Sequence, residues 1–207
     1  GPGRAVAHQL LAHGVGCQQL CHGLPALQAR QHRARVNGVV RPQQHIERAD
    51  LVLYDALVHP ELLQHIPARA ERVFVGKRGG RVSERQTEIN GRLVRAAQEG
   101  RTVVRLKGGD PYLFGRGSEE AEALANAGIP FEVVPGVPSP LAATTYAGIS
   151  LTHRDLASSV AFITATESPE KDTSSHDWAH LATATQTLVI FMGRRRLASM
   201  MQALMDH

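Results

Sequence analysis

Short apolar runs alternate with amphipathic stretches from Asp50 to the end of the chain. Strands that alternate with helices in this way predict an α/β fold built around a mostly parallel sheet. The apolar runs predict strands at 51–54, 72–76, 101–106, 130–134, 159–165 and 187–192.

The clearest predicted helix lies between residues 83 and 100. Ser83 and Gln86 match a capping box, and Gly100 is a typical helix terminator. Its apolar face carries Ile89, Leu93 and Ala97. Further helices are predicted from Ser118 to Gly128, at 139–147 and from Leu197 onward.

Composition divides the chain into three parts. Residues 1–45 are crowded with His, Gln, Arg and Gly and hold no persistent period, which predicts an irregular segment. Its basic balance also fits a nucleic-acid arm, but without interleaved aromatics or Lys/Arg blocks the irregular interpretation is favoured. Residues 46–134 predict an N-terminal α/β domain. Residues 135–207, opening with the turn-rich PGVPSP, predict a partial C-terminal α/β domain.

Composition also limits the class of protein. Of the 207 residues 43% are hydrophobic, and no apolar run has the length of a membrane span. With no signal-peptide pattern, we expect a cytoplasmic protein without membrane or nucleic-acid partners. Cys17 and Cys21 lack the spacing and the partners of a zinc site, so no metal is expected.

Candidate chemistry follows the strand ends, because ligands of open α/β sheets bind beyond the carboxyl ends of the strands. Asp55 and Lys77 follow the first two predicted strands. Gly108, Gly109 and Asp110 follow the third, where bare backbone can approach a ligand and the carboxylate can accept hydrogen bonds. Each is also an ordinary turn residue, but their convergence favours a ligand site over unrelated turns. The spacing is neither a dinucleotide fingerprint nor a P-loop.

Further candidates lie outside these turns. Arg116 stands between two glycines with Glu119 close behind it, and Arg154 in LTHRD can clamp a carboxylate. Met192 ends a predicted strand and can line a pocket. The structural alternatives are helix-end electrostatics for Arg116 and Glu119, and core filling for Met192.

Seven segments then occur in a recognisable order: ADLVLYDALV, VFVGKRGG, QTEINGRLV, VVRLKGGDPYLFGRGSEEAEAL, AGIPFEVVPGV, AGISLTHRD and TLVIFMG. Over residues 46–207 the chain resembles uroporphyrinogen-III C-methyltransferases of the tetrapyrrole methylase family. The resemblance implies a two-domain tetrapyrrole methylase fold, with a mostly parallel first sheet and an incomplete second α/β domain, in a homodimer. It also implies C-methylation of uroporphyrinogen III to precorrin-2, for sirohaem and cobalamin, with S-adenosylmethionine becoming S-adenosylhomocysteine.

The same resemblance implies roles for matching positions. Asp55 matches the proton acceptor and Lys77 the proton donor. Arg116 matches a residue proposed to assist proton removal, although a guanidinium suits a carboxylate clamp and electrostatic stabiliser better. Donor-binding positions match Gly108, Gly109, Asp110, Leu113, Pro138, Ser139 and Met192. Substrate-contacting positions match Arg116, Glu119 and Arg154.

The chain departs from the family pattern in three places. At residues 1–45 only GPG at 1–3 is similar to the family's glycine-rich first loop, and a shifted reading frame is one hypothesis for that segment. Pro138 stands where the family usually has Thr, and family members continue past the length of this chain. Two alternatives therefore stay open. One is a catalytically defective remnant that binds tetrapyrrole or dimerises, and the other is a sister methylase acting on another substrate.

Overall fold

The computed structural model of the chain describes residues 7–11, 42–76, 85–166 and 176–207. It divides into two compact units, Gly1–Pro138 and Ser139–His207. The predicted boundary at 134–135 falls close to this division, and the three-part domain organisation stays a prediction.

The strands described in the first unit form a five-stranded sheet in the order β3-β2-β4-β1-β5. Every pairing between neighbours is parallel. An α/β fold with a parallel first sheet is therefore confirmed. The elements are β1 (Ala7–Leu11), α1 (Pro42–Arg48), β2 (Leu51–Tyr54), α2 (Pro60–Leu63), β3 (Glu71–Phe74), α3 (Gln86–Gln98), β4 (Val103–Lys107), α4 (Gly117–Asn126) and β5 (Phe131–Val133).

Strand β1 lies inside the segment for which the sequence predicts irregular structure. It pairs with both β4 and β5, with Ala7 opposite Val103 on one side and Phe131 on the other. For these five residues the prediction is wrong, because hydrogen bonds to two neighbouring strands stabilise an extended conformation that the local pattern does not encode. Helix α1 also begins inside this segment and buries Ile46 completely. Apart from residues 42–45 in α1, the other residues predicted as irregular lie outside the described part of the chain.

Both faces of the sheet are covered, as a parallel sheet requires. On β2, Leu51 and Leu53 pack in one core cluster with Leu93 of α3. Val52, between them in sequence, packs in a second cluster with Ile46 of α1. Because side chains alternate along a strand, β4 likewise divides its residues between the two layers. Val103 joins the first cluster, and Val104 and Leu106 join the second.

Helix α3 begins at Gln86 and not at the predicted capping box. The Glu88 carboxylate accepts the backbone N–H of Arg85, the residue before the helix, at 3.0 Å. Ser83 lies outside the described residues. The predicted end is confirmed, since Gly100 has a φ of 84° just past the last turn. The predicted apolar face is also confirmed, since Ile89, Leu93 and Ala97 are buried.

The second unit contains α5 (Ser139–Tyr146), β6 (Val160–Thr164), α6 (Trp178–Ala184), β7 (Thr187–Phe191) and α7 (Leu197–Met205), with a 3₁₀ turn at Arg194–Arg196. Strands β6 and β7 pair in parallel. Helix α6 is not among the helices predicted from the sequence, in which SPEKDTSSHD at 168–177 is typical of a polar loop that ends at Asp177, the N-cap of α6. The Asp177 carboxylate accepts the backbone N–H of His180 at 3.1 Å. Residues 168–175 of this polar stretch lie outside the described residues.

Within the described ranges, no helix combines the length and the apolar character needed to cross a membrane.

Substitution of Leu93 tests the first core cluster. Leu93→Ala is expected to lower the free energy of unfolding by about 2–5 kcal/mol, because it removes a buried side chain and leaves a cavity between α3 and β2. Denaturant titration followed by circular dichroism measures the change. Leu156→Ala is the control, since Leu156 is exposed and its loss is expected to cost less than about 0.5 kcal/mol. Equal losses for the two variants would contradict the assigned core.

Candidate functional site

Two turns meet at the carboxyl end of the first sheet. Asp55 follows β2, and Gly108 follows β4, its hydrogen-bonded neighbour. A Cβ atom added to Gly108 would lie 2.7 Å from Cβ and 2.9 Å from the carbonyl oxygen of Leu57. Only a residue without a side chain allows this approach. The two strand ends that the sequence singles out are therefore packed against each other.

The Asp55 carboxylate is oriented through both oxygens. Oδ1 accepts the backbone N–H of Leu57 at 3.0 Å. Oδ2 lies 3.5 Å from Nη2 of Arg105, a buried side chain of β4. The Asp55 side chain keeps 22% of its surface exposed, so a ligand or a water molecule can still reach it.

The second turn is held open by Gly109 and closed by Asp110. Gly109 has a φ of 77°, and among the described residues the nearest atom to a Cβ atom placed there would be Cα of Pro138, at 3.9 Å. Asp110 accepts the backbone N–H of Tyr112 at 2.9 Å through one oxygen and that of Gly136 at 3.1 Å through the other. The carboxylate thus ties the turn after β4 to the segment after β5. The result is a stretch of accessible backbone that a ligand can lie against, with half-buried Leu113 beside it.

The loop that leads into α4 needs glycine at both 115 and 117, because the backbone there passes very close to Pro111. A Cβ atom on Gly115 would lie 2.7 Å from the carbonyl oxygen of Pro111, and one on Gly117 would lie 2.5 Å from it. The loop folds back on Pro111, whose carbonyl accepts the Gly117 N–H at 2.9 Å. The fold-back also holds Phe114 and Arg116 at φ of 53° and 57°, in the left-handed region that non-glycine residues rarely adopt.

Arg116 and Glu119 form an exposed, two-pronged ion pair. Nε and Nη2 of Arg116 each donate to a Glu119 oxygen at 2.7 Å. This hydrogen bonding raises the pKa of Arg116 and lowers the pKa of Glu119. The predicted clamp is therefore closed on a carboxylate of the protein, in the geometry that a ligand carboxylate would need.

A buried charged cluster lies directly beneath these turns, and the sequence interpretation did not predict it. Glu120 of α4 is only 1% exposed, and Arg105 and Lys107 of β4 are each 5% exposed. Glu120 Oε1 lies 3.1 Å from Arg105 Nε and from Lys107 Nζ, and Gln86 of α3 donates to the same oxygen at 3.1 Å. Burial lowers the pKa of Lys107, with a smaller effect in the same direction from Arg105 and an opposing one from Glu120. The signal in the sequence was the pair of cations two residues apart in the strand VVRLK.

The remaining predicted site residues divide into two groups. Ser139 begins α5, Arg154 is exposed, and Met192 is exposed directly after β7 with a φ of 56°. These three belong to the second unit, while Asp55, Gly108, Gly109, Asp110, Leu113, Arg116, Glu119 and Pro138 belong to the first. Lys77 lies outside the described residues. Among the residues the structure describes, no group of three or more His, Cys, Asp or Glu side chains is placed to hold a metal ion.

The fold described above is that of the tetrapyrrole methylases. The family model of Tetrapyrrole (Corrin/Porphyrin) Methylases matches residues 40–207, and the chain belongs to this family. The family assignment made from the sequence motifs is confirmed. The match leaves out residues 1–39, most of the segment that departs from the family pattern.

Two of the curated relatives that resemble this chain are siroheme synthases. Siroheme synthase 1 of Serratia proteamaculans is 54% identical over 168 residues, which are 81% of this chain and 35% of that protein. The siroheme synthase of Zymomonas mobilis is 49% identical over 168 residues, with the same shares of the two chains. The chain thus spans about a third of the length of these relatives.

Three solved structures have the same fold. The uroporphyrin-III C-methyltransferase of Thermus thermophilus matches with a TM-score of 0.61 and 36% identity, over 93% of this chain and 70% of that one. The same enzyme complexed with S-adenyl homocysteine matches with a TM-score of 0.65 and 39% identity, over 80% and 68%. A cobalt precorrin-4 methyltransferase matches with a TM-score of 0.69 and 28% identity, over 81% and 68%.

Neighbouring glutamates of α4 give a matched test of the buried cluster. Glu120→Gln is expected to lower the free energy of unfolding by about 3–5 kcal/mol, because it leaves two buried cations without their shared anion. Glu119→Gln, one residue earlier, breaks an exposed ion pair and is expected to cost less than about 1 kcal/mol. Denaturant unfolding of both variants measures the difference, and similar costs would refute the buried network.

Proposed function

We propose that this chain catalyses the S-adenosylmethionine-dependent C-methylation of uroporphyrinogen III to precorrin-2, a step toward sirohaem and cobalamin. The observation that carries the proposal is the junction of the Asp55 turn with the open glycine turn at 108–109. It places a carboxylate beside accessible backbone at the carboxyl edge of a parallel sheet, where such sheets bind ligands. Family membership and the relatives named above support the same reaction class.

The residues of the first unit fit the methyl donor. Gly109 offers backbone whose Cβ side meets none of the described residues closer than 3.9 Å, and the Asp110 carboxylate fixes the turn in that shape. Leu113 and Pro138 supply apolar surface beside it, and Ser139 and Met192 are proposed as donor contacts from the family resemblance alone. When bound, S-adenosylmethionine supplies a methyl group on a positively charged sulfonium, and S-adenosylhomocysteine is the product.

Asp55 is the proposed proton acceptor. When a fully substituted pyrrole carbon takes the methyl group, the C–S bond of the donor breaks and the ring is left with a positive charge. The macrocycle becomes neutral again by losing a proton from a ring nitrogen or a bridging carbon, and a positioned carboxylate can take that ring proton directly or through one water molecule. The Leu57 N–H and the Arg105 guanidinium fix the orientation of the carboxylate, and its exposed fraction leaves it accessible. Lys77 remains the proposed proton donor.

Arg116 and Arg154 are the proposed contacts for the acetate and propionate groups of the substrate. Arg116 is exposed and already holds the Glu119 carboxylate through two parallel hydrogen bonds. A substrate carboxylate can take over those donors at little cost in solvation, because both partners of the pair are in contact with water. Glu119 would then be released to interact with other polar groups of the substrate.

The proposal extends to the setting of the enzyme. A homodimer in the cytoplasm, without resident metal and without nucleic-acid or membrane partners, is what the family resemblance and the composition predict.

Methyl transfer with an Asp55 variant tests the reaction. The chain incubated with uroporphyrinogen III and methyl-labelled S-adenosylmethionine is expected to give labelled precorrin-2. Asp55→Asn is expected to slow the transfer by about 10²–10⁴-fold, because the amide cannot accept the ring proton, while donor affinity stays the same. Binding of tetrapyrrole without any transfer would favour the catalytically defective remnant. Labelling of a different substrate, with none on uroporphyrinogen III, would favour the sister methylase.

A methyl group added at Gly108 tests the glycine turn. Gly108→Ala is expected to weaken S-adenosylmethionine binding at least about tenfold, because the new Cβ atom overlaps Leu57 and displaces the turn by a large fraction of an ångström. Isothermal titration calorimetry measures the affinity. Gly91→Ala, which places the same group on α3 beside the flexible end of Arg95, is the control and is expected to leave the affinity unchanged. Unchanged binding by Gly108→Ala would exclude this turn from the donor site.

A further inference from the structure

Arg105 lies between two carboxylates that belong to different parts of the first unit. Its Nε lies 3.1 Å from Oε1 of Glu120 on α4, and its Nη2 lies 3.5 Å from Oδ2 of Asp55 after β2. Its Nη1 donates to the carbonyl oxygen of Leu106 at 2.7 Å. Glu120 and the Leu106 carbonyl therefore fix Nε and Nη1 of the guanidinium, and Nη2 is directed at Asp55.

Among the residues that the structure describes in this cluster, the positive and negative charges are equal in number when Asp55 is counted. Arg105 and Lys107 bring two positive charges from β4, Glu120 brings one negative charge from α4, and Gln86 of α3 is neutral. The Asp55 carboxylate supplies the second negative charge. Burial makes an unmatched charge costly, so electrostatics favours keeping the Asp55 carboxylate against Arg105.

We propose that Arg105 is a positioning residue for Asp55, fixed in place by the buried carboxylate of Glu120. The proposal rests on the proposed function, in which Asp55 accepts the ring proton. Arg105 orients Oδ2, and the Leu57 N–H orients Oδ1, so the carboxylate is held in one direction before substrate arrives. Such pre-orientation contributes to rate because proton removal requires a defined geometry.

The same glutamate connects Asp55 to the proposed substrate clamp. Glu120 follows Glu119 in α4, and its backbone N–H donates to the Arg116 carbonyl oxygen at 3.4 Å. The helix start that buries Glu120 against β4 therefore also places the Arg116–Glu119 pair. The buried Glu120 thus helps to position both the proposed base, Asp55, and the proposed substrate clamp, Arg116.

Amide exchange of Leu57 tests the positioning without any catalytic assay. In Arg105→Gln the Leu57 amide proton is expected to lose protection in NMR hydrogen exchange, because the carboxylate that accepts it is no longer held. Arg101→Gln is the matched control, since Arg101 pairs with Glu71 at 2.8 Å just before β4, away from Asp55. Arg105→Lys keeps the buried charge if Arg105→Gln does not fold, and it is expected to show the same loss because one ammonium cannot reach both carboxylates. Unchanged Leu57 protection in the folded Arg105 variants would overturn the proposal.

A double-mutant cycle tests the link to catalysis. Arg105→Gln is expected to lower kcat by about 10²-fold with the KM for S-adenosylmethionine unchanged. In an Asp55→Asn background the same substitution is expected to change kcat less than about twofold, since there is no base left to position. An equal loss in both backgrounds would overturn the proposal. The two proposals can fail separately. If Arg105→Gln lowers the protection of the Leu57 amide but the wild-type chain transfers no methyl group, the proposed function is refuted and the positioning contact is supported.

Discussion

The carboxyl end of the first sheet depends on the neutralisation of charge buried beneath it. Glu120 is almost fully removed from water, and at that depth a carboxylate without cationic partners costs several kcal/mol. Its partners Arg105 and Lys107 are on β4, so α4 must pack where Glu120 reaches both of them. Once β4 and α4 are fixed in this way, the loop between them has little freedom, and that loop contains five of the proposed contacts, Gly108, Gly109, Asp110, Leu113 and Arg116.

The glycines of this loop serve packing within the protein as much as contact with a ligand. Gly108 allows Leu57 to approach, and Gly115 and Gly117 allow the chain to fold back on Pro111. The fold-back places Arg116 in a left-handed conformation that is unfavourable for an arginine. A side chain held in such a conformation next to the site indicates that its direction matters. Of the glycines in this stretch, Gly109 is the one whose open side is available to a ligand.

The sequence predicted the sheet well and the buried cluster not at all. Strand β2 and helix α3 were found because their apolar residues follow the periods of a strand and a helix, and periodicity is a local signal. Strand β1 was missed because it depends on pairing with β4 and β5, which are distant in the sequence. The local pattern does not distinguish Glu120 from Glu119, because both are acidic residues in the first turn of α4. Only the packing of α4 on β4 shows that Glu120 points inward while Glu119 points out.

The two arginines of the site illustrate why burial divides their roles. Arg116 is in water, so exchanging Glu119 for a ligand carboxylate costs little, and its selectivity comes from the geometry of two parallel hydrogen bonds. Arg105 is buried, so any loss of its carboxylate partners leaves an uncompensated charge in a poorly solvated place. The exposed arginine is suited to binding and release, and the buried one to holding a fixed orientation through every turnover. If Asp55 is the base, as proposed, its carboxylate must keep one orientation, and the buried Arg105 beside it is the kind of arginine suited to holding it there.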